Sequence, residues 1–458
     1  MALPLPNRYA HRAVIAAIAD ALCFAAAAYA AWHVTDPPFS ALAYGAATAV
    51  GAFGCFAALY YTDAYGLRAL SNGRDFFRST IVAMGIAFAL AILIYHFVPM
   101  PPGSLRAMAH TAAVYFPLLL LARQAFRITS SLTPFTERLL IVGASDLGVA
   151  TARAALDCRR LGTQLVGFLS DELTHERSSI GGVPVLGKIH QLEKVVDKFE
   201  IDRIIVASKD RNEHFPADEL LRLKLRGVTV ESGVSFYERV SGRVYIRDLH
   251  PSYLIFSEGF RTSRLAAFEK RALDIAVSVI GLLIASPFLL LSAIAIRLDS
   301  PGPVFYRQTR VGKDGKRFSI RKLRSMRNGA ESESGPVWTQ SNDDRVTRVG
   351  RALRRVRLDE VPQLWNVLKG EMSLVGPRPE RPEFVESLSV RYPYFALRSS
   401  LKPGITGWAQ IQHGYVNEVE GFEEKLAFDI YYMKYRSTVT DLLILWKTTK
   451  TVVKMSGV

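Results

Sequence analysis

Residues 275–296, IAVSVIGLLIASPFLLLSAIAI, form an uncharged run of 22 residues. Such a run is long enough for a helix to cross the ~30 Å hydrocarbon core of a bilayer. Lys270 and Arg271 precede it, and Arg297 follows it. Nine lysines or arginines then lie between Arg307 and Arg327. Positive charge holds flanking segments in the cytoplasm, so both ends of the run claim the same side of the membrane. Ser286-Pro287 stands near its middle, where proline removes a helical hydrogen bond and clashes with the preceding turn. The pattern predicts a re-entrant helix–break–helix over residues 272–297, entering and leaving one leaflet. A kinked transmembrane helix is the plainer alternative.

Four further apolar segments open the chain, at residues 14–34, 41–61, 79–98 and 107–122, each near the ~20 residues that a span requires. Asp20 within the first reads as a polar residue facing the helix bundle rather than lipid. Arg8 and Arg12 precede segment one, Arg68, Arg74 and Arg78 lie between two and three, and Arg123 and Arg127 follow four. This distribution places the N-terminus and everything after segment four in the cytoplasm. The expected class is therefore a multi-pass membrane protein with a four-helix region over residues 1–130. The net charge of +15 suits an anionic membrane face or a phosphorylated substrate, and the sparse aromatics in the basic stretch argue against nucleic acid. The three cysteines, Cys23, Cys55 and Cys158, have no metal-site or disulfide spacing.

Residues 137–250 change pattern. RLLIVGASDLGVATARAA reads as a buried strand, a glycine turn and a helix, and LVGFLSDE, DRIIVAS and RGVTVES supply further strands. The alternation predicts a doubly wound, Rossmann-like α/β domain. Gly143 and Gly148 lie where a dinucleotide fingerprint would fall, with Asp171 as the ribose-binding acid. Ser145, however, occupies the central glycine position that lets a pyrophosphate approach the backbone. A structural or regulatory module is the better expectation.

Chemistry concentrates in VGRALRRVRLDEVPQLWNVLKGEMSLVGPRPE, where Asp359 and Glu360 sit between arginines and a Gly-Pro-Arg-Pro turn. Pro362 suits the first turn of a helix that Gly370 would stop, placing Asp359 near the cap and Glu360 just inside. Adjacent helical residues point ~100° apart, so the two carboxylates would take separate roles. One can attack a phosphoryl group, and the other can hold Mg²⁺ against phosphate oxygens. Arginines such as Arg351, Arg354, Arg355 and Arg357 would attract the diphosphate. An N-cap with a first-turn acid is the plain structural alternative.

KRALDIAVSVIGLLIASPF, DSPGPVFYRQTRVGKDGKRFSIRKLRSM, RLDEVPQLWNVLKGEMSLVGPRPE and LKPGITGWAQ together resemble the bacterial sugar transferases, the monotopic phosphoglycosyl transferases that act on polyprenyl phosphate. The likeness runs from Lys270 to the C-terminus, and the N-terminal regions resemble the long form of the family. FYERVSGRVYIRDLHPSYLIFSEGF resembles the subgroup tied to exopolysaccharide export. The resemblance implies an α+β catalytic domain with a re-entrant helix at the bacterial inner membrane, facing the cytoplasm. It implies transfer of hexose 1-phosphate from a UDP-hexose to undecaprenyl phosphate, with release of UMP, through a covalent phosphosugar enzyme.

By this likeness Asp359 is the nucleophile and Glu360 the Mg²⁺ ligand. Arg354 and Arg378 would contact phosphate, Lys322 and Arg324 would be further phosphate-binding candidates, and Ser286 and Pro287 would break the helix. Arg357 departs from the family, many of whose members carry a small polar residue there. A nucleotide-sugar dehydratase in the middle domain would need Tyr-x-x-x-Lys, and no tyrosine has lysine four residues on. A non-catalytic scaffold role is the remaining alternative. The hexose is left open, as is the oligomeric state, a homo-oligomer being compatible with the chain. DLLILWKTTKTVVK at the C-terminus reads as an interfacial helix or as a helix packed on the domain.

Overall fold

The computed structural model describes residues 7–35, 44, 48, 51–52, 54–56, 58–59, 77, 80–85, 87, 104–130, 137–157, 163–171, 179–207, 215–247, 249, 251–257, 259–260, 263–330, 344–413 and 421–453. The chain divides into two compact units, Met1–Val240 and Ser241–Val458. The second and third apolar segments fall mostly outside the described residues.

In the first unit, helices α1 (Asn7–Thr35) and α2 (Ser104–Ser130) pack together. Ala27, Ala28 and Ala31 are buried with Tyr115 and Leu119, small residues that let two helices approach closely. Helix α2 runs beyond the expected fourth segment and contains Pro117 without ending there. Arg123, expected as a loop charge, is instead helical and buried: it donates to Asp20 through Nε at 3.0 Å, and Nη2 meets the other carboxylate oxygen. Asp20 thus faces a helix partner, as its place in segment one suggested.

The rest of this unit is a six-stranded sheet in the order β3-β4-β2-β1-β5-β6. Its strands are β1 (Glu137–Val142), β2 (Thr163–Leu169), β3 (Ser179–Ile180), β4 (Val183–Gly187), β5 (Arg203–Val206) and β6 (Thr229–Ser232). All neighbours are parallel except β3 and β4. Helices α3 (Asp146–Asp157), α4 (Leu192–Phe199), α5 (Ala217–Leu225) and α6 (Gly233–Ser241) alternate with the strands. A Cβ at Gly148 would lie 2.5 Å from the Gly143 carbonyl oxygen, so only glycine fits that close turn. Ser145 Oγ donates to the Ala207 carbonyl at 2.5 Å, and Asp171 Oδ1 accepts from the Ile189 amide at 3.0 Å. Both fingerprint side chains are thus engaged in local hydrogen bonds.

The second unit opens earlier than the sequence boundary at 250: Val244 and Leu249 bury in its core beside Trp408, Phe422 and Tyr431. After α7 (Pro251–Phe256), helix α8 (Arg264–Asp299) runs 36 residues from its cap at Ser263, whose Oγ accepts from the Ala266 amide. The break expected at Ser286-Pro287 does not occur, and the helix continues through both residues. Proline removes the N–H that would reach Leu283, and the Ser286 hydroxyl donates to that carbonyl instead, at 2.8 Å.

Both ends of α8 are tied to the same unit. Lys270 Nζ donates to Asp441 at 2.6 Å, Arg271 to the carbonyls of Val367 and Leu368, and Asp274 accepts from Ser373 Oγ and the Leu374 amide. At the other end, Asp299 accepts from the Val349 amide, and Ile296 packs on Leu323 and Leu353. Between these ties the helix exposes Ile280, Leu283, Ile284, Phe288, Leu290 and Leu291. Among the described residues, only α8 and residues 17–34 of α1 are helical runs long and apolar enough to cross a membrane.

The remaining elements build a small mixed layer. Strands β7 (Phe305–Val311) and β8 (Arg317–Leu323) pair antiparallel around Asp314 and Gly315, both at positive φ as an Asp-Gly turn favours. Helices α9 (Arg348–Arg355) and α10 (Gln363–Lys369) flank a 3-10 turn at Leu358–Glu360. Strand β9 (Ser373–Val375) pairs parallel with β10 (Gly404–Thr406), with α11 (Pro382–Arg391) between them and α12 (Trp408–His413) after. Helices α13 (Gly421–Tyr435) and α14 (Thr438–Val453) close the unit. Helix α14 buries Thr440, Asp441 and Ile444 and exposes Val439, Leu442 and Trp446, so it packs on the domain and also presents an apolar face.

Candidate active site

Asp359 and Glu360 both lie on the 3-10 turn that precedes α10, rather than near its cap and just inside it as the sequence suggested. Pro362 occupies the cap position of α10, and Gly370 ends the helix in the left-handed region at φ +83°, as expected. Neither acid caps this helix, so the plain structural alternative does not account for them. Arg357 enters the turn at φ +58°, an uncommon region for a non-glycine side chain.

The two carboxylates occupy different surroundings. Glu360 Oε1 accepts from Lys322 Nζ at 2.8 Å, off the end of β8, and from Arg378 Nη2 at 3.3 Å, in the Gly-Pro-Arg-Pro turn after β9. Burial alone would raise the Glu360 carboxyl, but Lys322 and Arg378 outweigh it and hold the group well below the usual carboxylate range. Burial also lowers Lys322, partly offset by Glu360. Asp359 is 7 % exposed, and its Oδ1 has no hydrogen-bond partner among the described residues. Burial, with Glu360 adding to it, pushes Asp359 up to about 6, against the pull of Lys322, Arg354 and Arg357. One acid is thus fixed and ionised, and the other is poorly solvated with a free oxygen. A pair whose environments drive its titrations apart is suited to two distinct tasks.

The phosphate-binding candidates separate. Lys322 and Arg378 meet at Glu360. Arg354 donates through Nε to Ser325 Oγ at 2.8 Å and lies close enough to act on Asp359. Arg324 is elsewhere: its guanidinium binds the carbonyls of Ser300 at 2.6 Å and Pro301 at 2.8 Å and so caps the end of α8. Buried among carbonyls, it is committed to holding the helix rather than a ligand. Ser286 and Pro287 lie in α8, away from the acidic pair's contacts.

Sequence reasoning passed over a buried charge network behind Arg378. Arg398 donates to the Arg378 carbonyl at 3.1 Å and to Asp429 at 2.7 Å. Arg310 donates to the Pro379 carbonyl at 3.1 Å, and buried Glu380 accepts from Lys425 at 3.3 Å. The network fixes the turn that carries Arg378. A signal was available: Lys425 and Asp429 are spaced i, i+4 inside the otherwise apolar KLAFDIYY of α13. A small pocket lined by Arg378, Glu380 and Arg398 shares Val311, Val385 and Ser399 with a cleft of about 430 Å³.

Residues 265–455 match the family described as Bacterial sugar transferase. The chain is 42% identical over 238 residues to a UDP-N-acetylgalactosamine-undecaprenyl-phosphate N-acetylgalactosaminephosphotransferase of Aeromonas hydrophila, covering 52% of this chain and 55% of that protein. It is 44% identical over 208 residues to a UDP-glucose:undecaprenyl-phosphate glucose-1-phosphate transferase of Caulobacter vibrioides, covering 44% of this chain and 77% of that protein. It is also 41% identical over 190 residues to the exopolysaccharide production protein PSS of Rhizobium leguminosarum bv. phaseoli, covering 39% of this chain and 92% of that protein. The chain thus spans about half the length of the Aeromonas relative and most of the other two.

Proposed function

Because this chain belongs to the bacterial sugar transferase family, we propose that it transfers hexose 1-phosphate from a UDP-hexose to undecaprenyl phosphate, releasing UMP. The observation that carries the reading is the asymmetric acidic pair: a buried Asp359 with a free Oδ1 beside a Glu360 held ionised by Lys322 and Arg378.

In the first step Asp359 attacks the phosphorus that bears the sugar. An Asp–O–P bond forms, the P–O bond to UMP breaks, and UMP leaves with the electron pair. In the second step an oxygen of undecaprenyl phosphate attacks the same phosphorus, and the Asp–O–P bond breaks to regenerate the carboxylate. The desolvation that raises Asp359 also strips it of water competing for its lone pairs. Lys322, Arg354 and Arg378 supply fixed positive charge for the diphosphate and for the charge that grows on the leaving UMP. A cleft in the size range of small-ligand pockets adjoins the small pocket that Arg378 lines, sharing Val311, Val385 and Ser399 with it.

The donor set also fits Mg²⁺. That hard ion takes one or two carboxylates and completes its shell with water and phosphate oxygens, and Glu360 Oε2, which takes no part in the bonds from Lys322 and Arg378, is such a donor. Glu360 would hold it, and when bound the ion would neutralise phosphate charge.

The wider assignment is an inner-membrane protein with its catalytic unit on the cytoplasmic face. It would have four N-terminal spans, a Rossmann-like middle domain without an assigned ligand, and a role in starting an exopolysaccharide or capsule repeat unit. Both ends of α8 bind one unit, which supports a helix that enters and leaves a single leaflet despite its unbroken backbone. UMP release assayed with undecaprenyl phosphate and a panel of UDP-sugars tests the reading, and no Mg²⁺-dependent release from any of them would refute it. Removal of residues 1–240, which keeps Val244 and Leu249 in the core of the second unit, is expected to leave release intact. Its loss there would favour an essential scaffold role for the N-terminal regions.

A further inference from the structure

The arginine-rich stretch RVGRALRR folds as α9, and its side chains divide between two faces. Gly350 and Leu353 are buried and Arg354 turns to Ser325, while Arg348, Arg351, Ala352 and Arg355 are exposed. At 3.6 residues per turn the three exposed arginines fall within about 60° of arc. The four arginines that the sequence assigned to one anionic ligand therefore do not act together. Arg354 and Arg357 bear on Asp359, whereas Arg351 and Arg355 point away with Arg348.

The buried side of α9 rests on the end of α8: Leu353 clusters with Ile296, Leu323, Leu289 and Leu358, and the Val349 amide donates to Asp299 at 3.2 Å. That end of α8 exposes Leu290, Leu291, Ile294 and Leu298, the last at 83 %. Leucines left bare at that end of α8, and arginines left bare on the helix that rests on it, match a bilayer edge. The apolar side chains would enter hydrocarbon, and the guanidinium groups would reach the phosphate level.

We infer that Arg348, Arg351 and Arg355 form a docking face for the headgroups of anionic phospholipids, separate from the arginines that serve the acidic pair. The partner is fixed by chemistry: planar cations pair with phosphate, and the bare apolar end of α8, on which α9 rests, favours lipid over a soluble anion. The surface would seat α9 at the membrane and hold the following turn, with Asp359, at the depth of a lipid phosphate.

The test uses the full chain reconstituted in phosphatidylcholine bilayers with a trace of spin-labelled phosphatidylglycerol or spin-labelled phosphatidylcholine. The motionally restricted fraction of each reports its relative affinity for the protein. The natural chain is expected to select phosphatidylglycerol severalfold at low salt, with the preference falling as salt rises. The triple variant R348Q/R351Q/R355Q is expected to lose most of that preference, and the corresponding triple lysine variant to keep it. A control, K194Q/K198Q/K224Q, removes the same charge from exposed positions of the first unit and is expected to change nothing. An unchanged preference in the arginine triple variant, or equal loss in the control, would overturn the inference. So would unchanged lipid selection together with weaker UDP-sugar binding, which would assign the face to the donor.

Discussion

Lys322 Nζ donates to Glu360 Oε1 at 2.8 Å, so the acid next to Asp359 is pinned by a cation from a different element of the chain. The 3-10 turn supplies the carboxylate and the end of β8 supplies the ammonium. Their pairing lowers the Glu360 carboxyl and, through the same positive charge, opposes the rise of Asp359.

The acid limb of activity follows from that balance. Asp359 must be ionised to attack, and with its carboxyl at about 6 the kcat/KM profile should fall as pH drops through that value. Lys322→Met removes a charge that favours the ionised form, so the limb should move to higher pH. Initial rates between pH 5 and 9 check both, and a limb that stays in place or moves down in the variant would contradict the assignment.

Replacing the nucleophile should not unfold the protein. A carboxyl raised from 3.8 to about 6 favours folding while protonated, and that contribution is lost as pH rises from the lower value through the upper. The ionised group therefore costs on the order of 3 kcal/mol at pH 8. Asp359→Asn should be inactive and at least as thermally stable as the natural chain at that pH. Thermal unfolding in detergent measures the second half, and a lower Tm would contradict it.

Arg398 is a support for the site rather than a participant in it. It is buried against Asp429 and donates to the carbonyl of Arg378. Arg398→Ala leaves a buried carboxylate without its partner, a loss of about 3–5 kcal/mol. The double variant Arg398→Leu/Asp429→Leu should recover much of that stability but not the activity, because the Arg378 turn stays unsupported. Stability and kcat/KM measured together separate the two effects.

The Ser286 hydroxyl and Pro287 should show energetic coupling. Ser286→Ala removes the donor to the Leu283 carbonyl, at a cost of about 1–2 kcal/mol in an apolar setting. In a Pro287→Ala background the restored amide serves that carbonyl, and the same serine change should cost almost nothing. A double-mutant cycle on thermal stability reads the coupling, and additive effects would contradict it.

The sequence-level expectations held where the signal is local. Gly370 stops α10 because only a left-handed residue completes that end, and Asp314-Gly315 turns the β7–β8 hairpin for the same steric reason. The acidic pair was legible because two adjacent carboxylates among arginines have few bland explanations. What was not legible depended on contacts made by the fold. Pro287 announces a break, but the serine before it fills the vacant acceptor. Arg324 looks like its basic neighbours until the end of α8 presents it with bare carbonyls. Residues 348–357 read as one arginine cluster, and only the helix and its buried face show that they divide.

The most direct measurement is peptide mass spectrometry on the natural chain mixed with a UDP-sugar it turns over, in the absence of undecaprenyl phosphate. The peptide containing Asp359 should gain the mass of one hexose phosphate less one water as one equivalent of UMP appears, and the gain should vanish on adding the lipid acceptor and in Asp359→Asn. Turnover with no adduct, or an adduct on any other residue, would contradict the account.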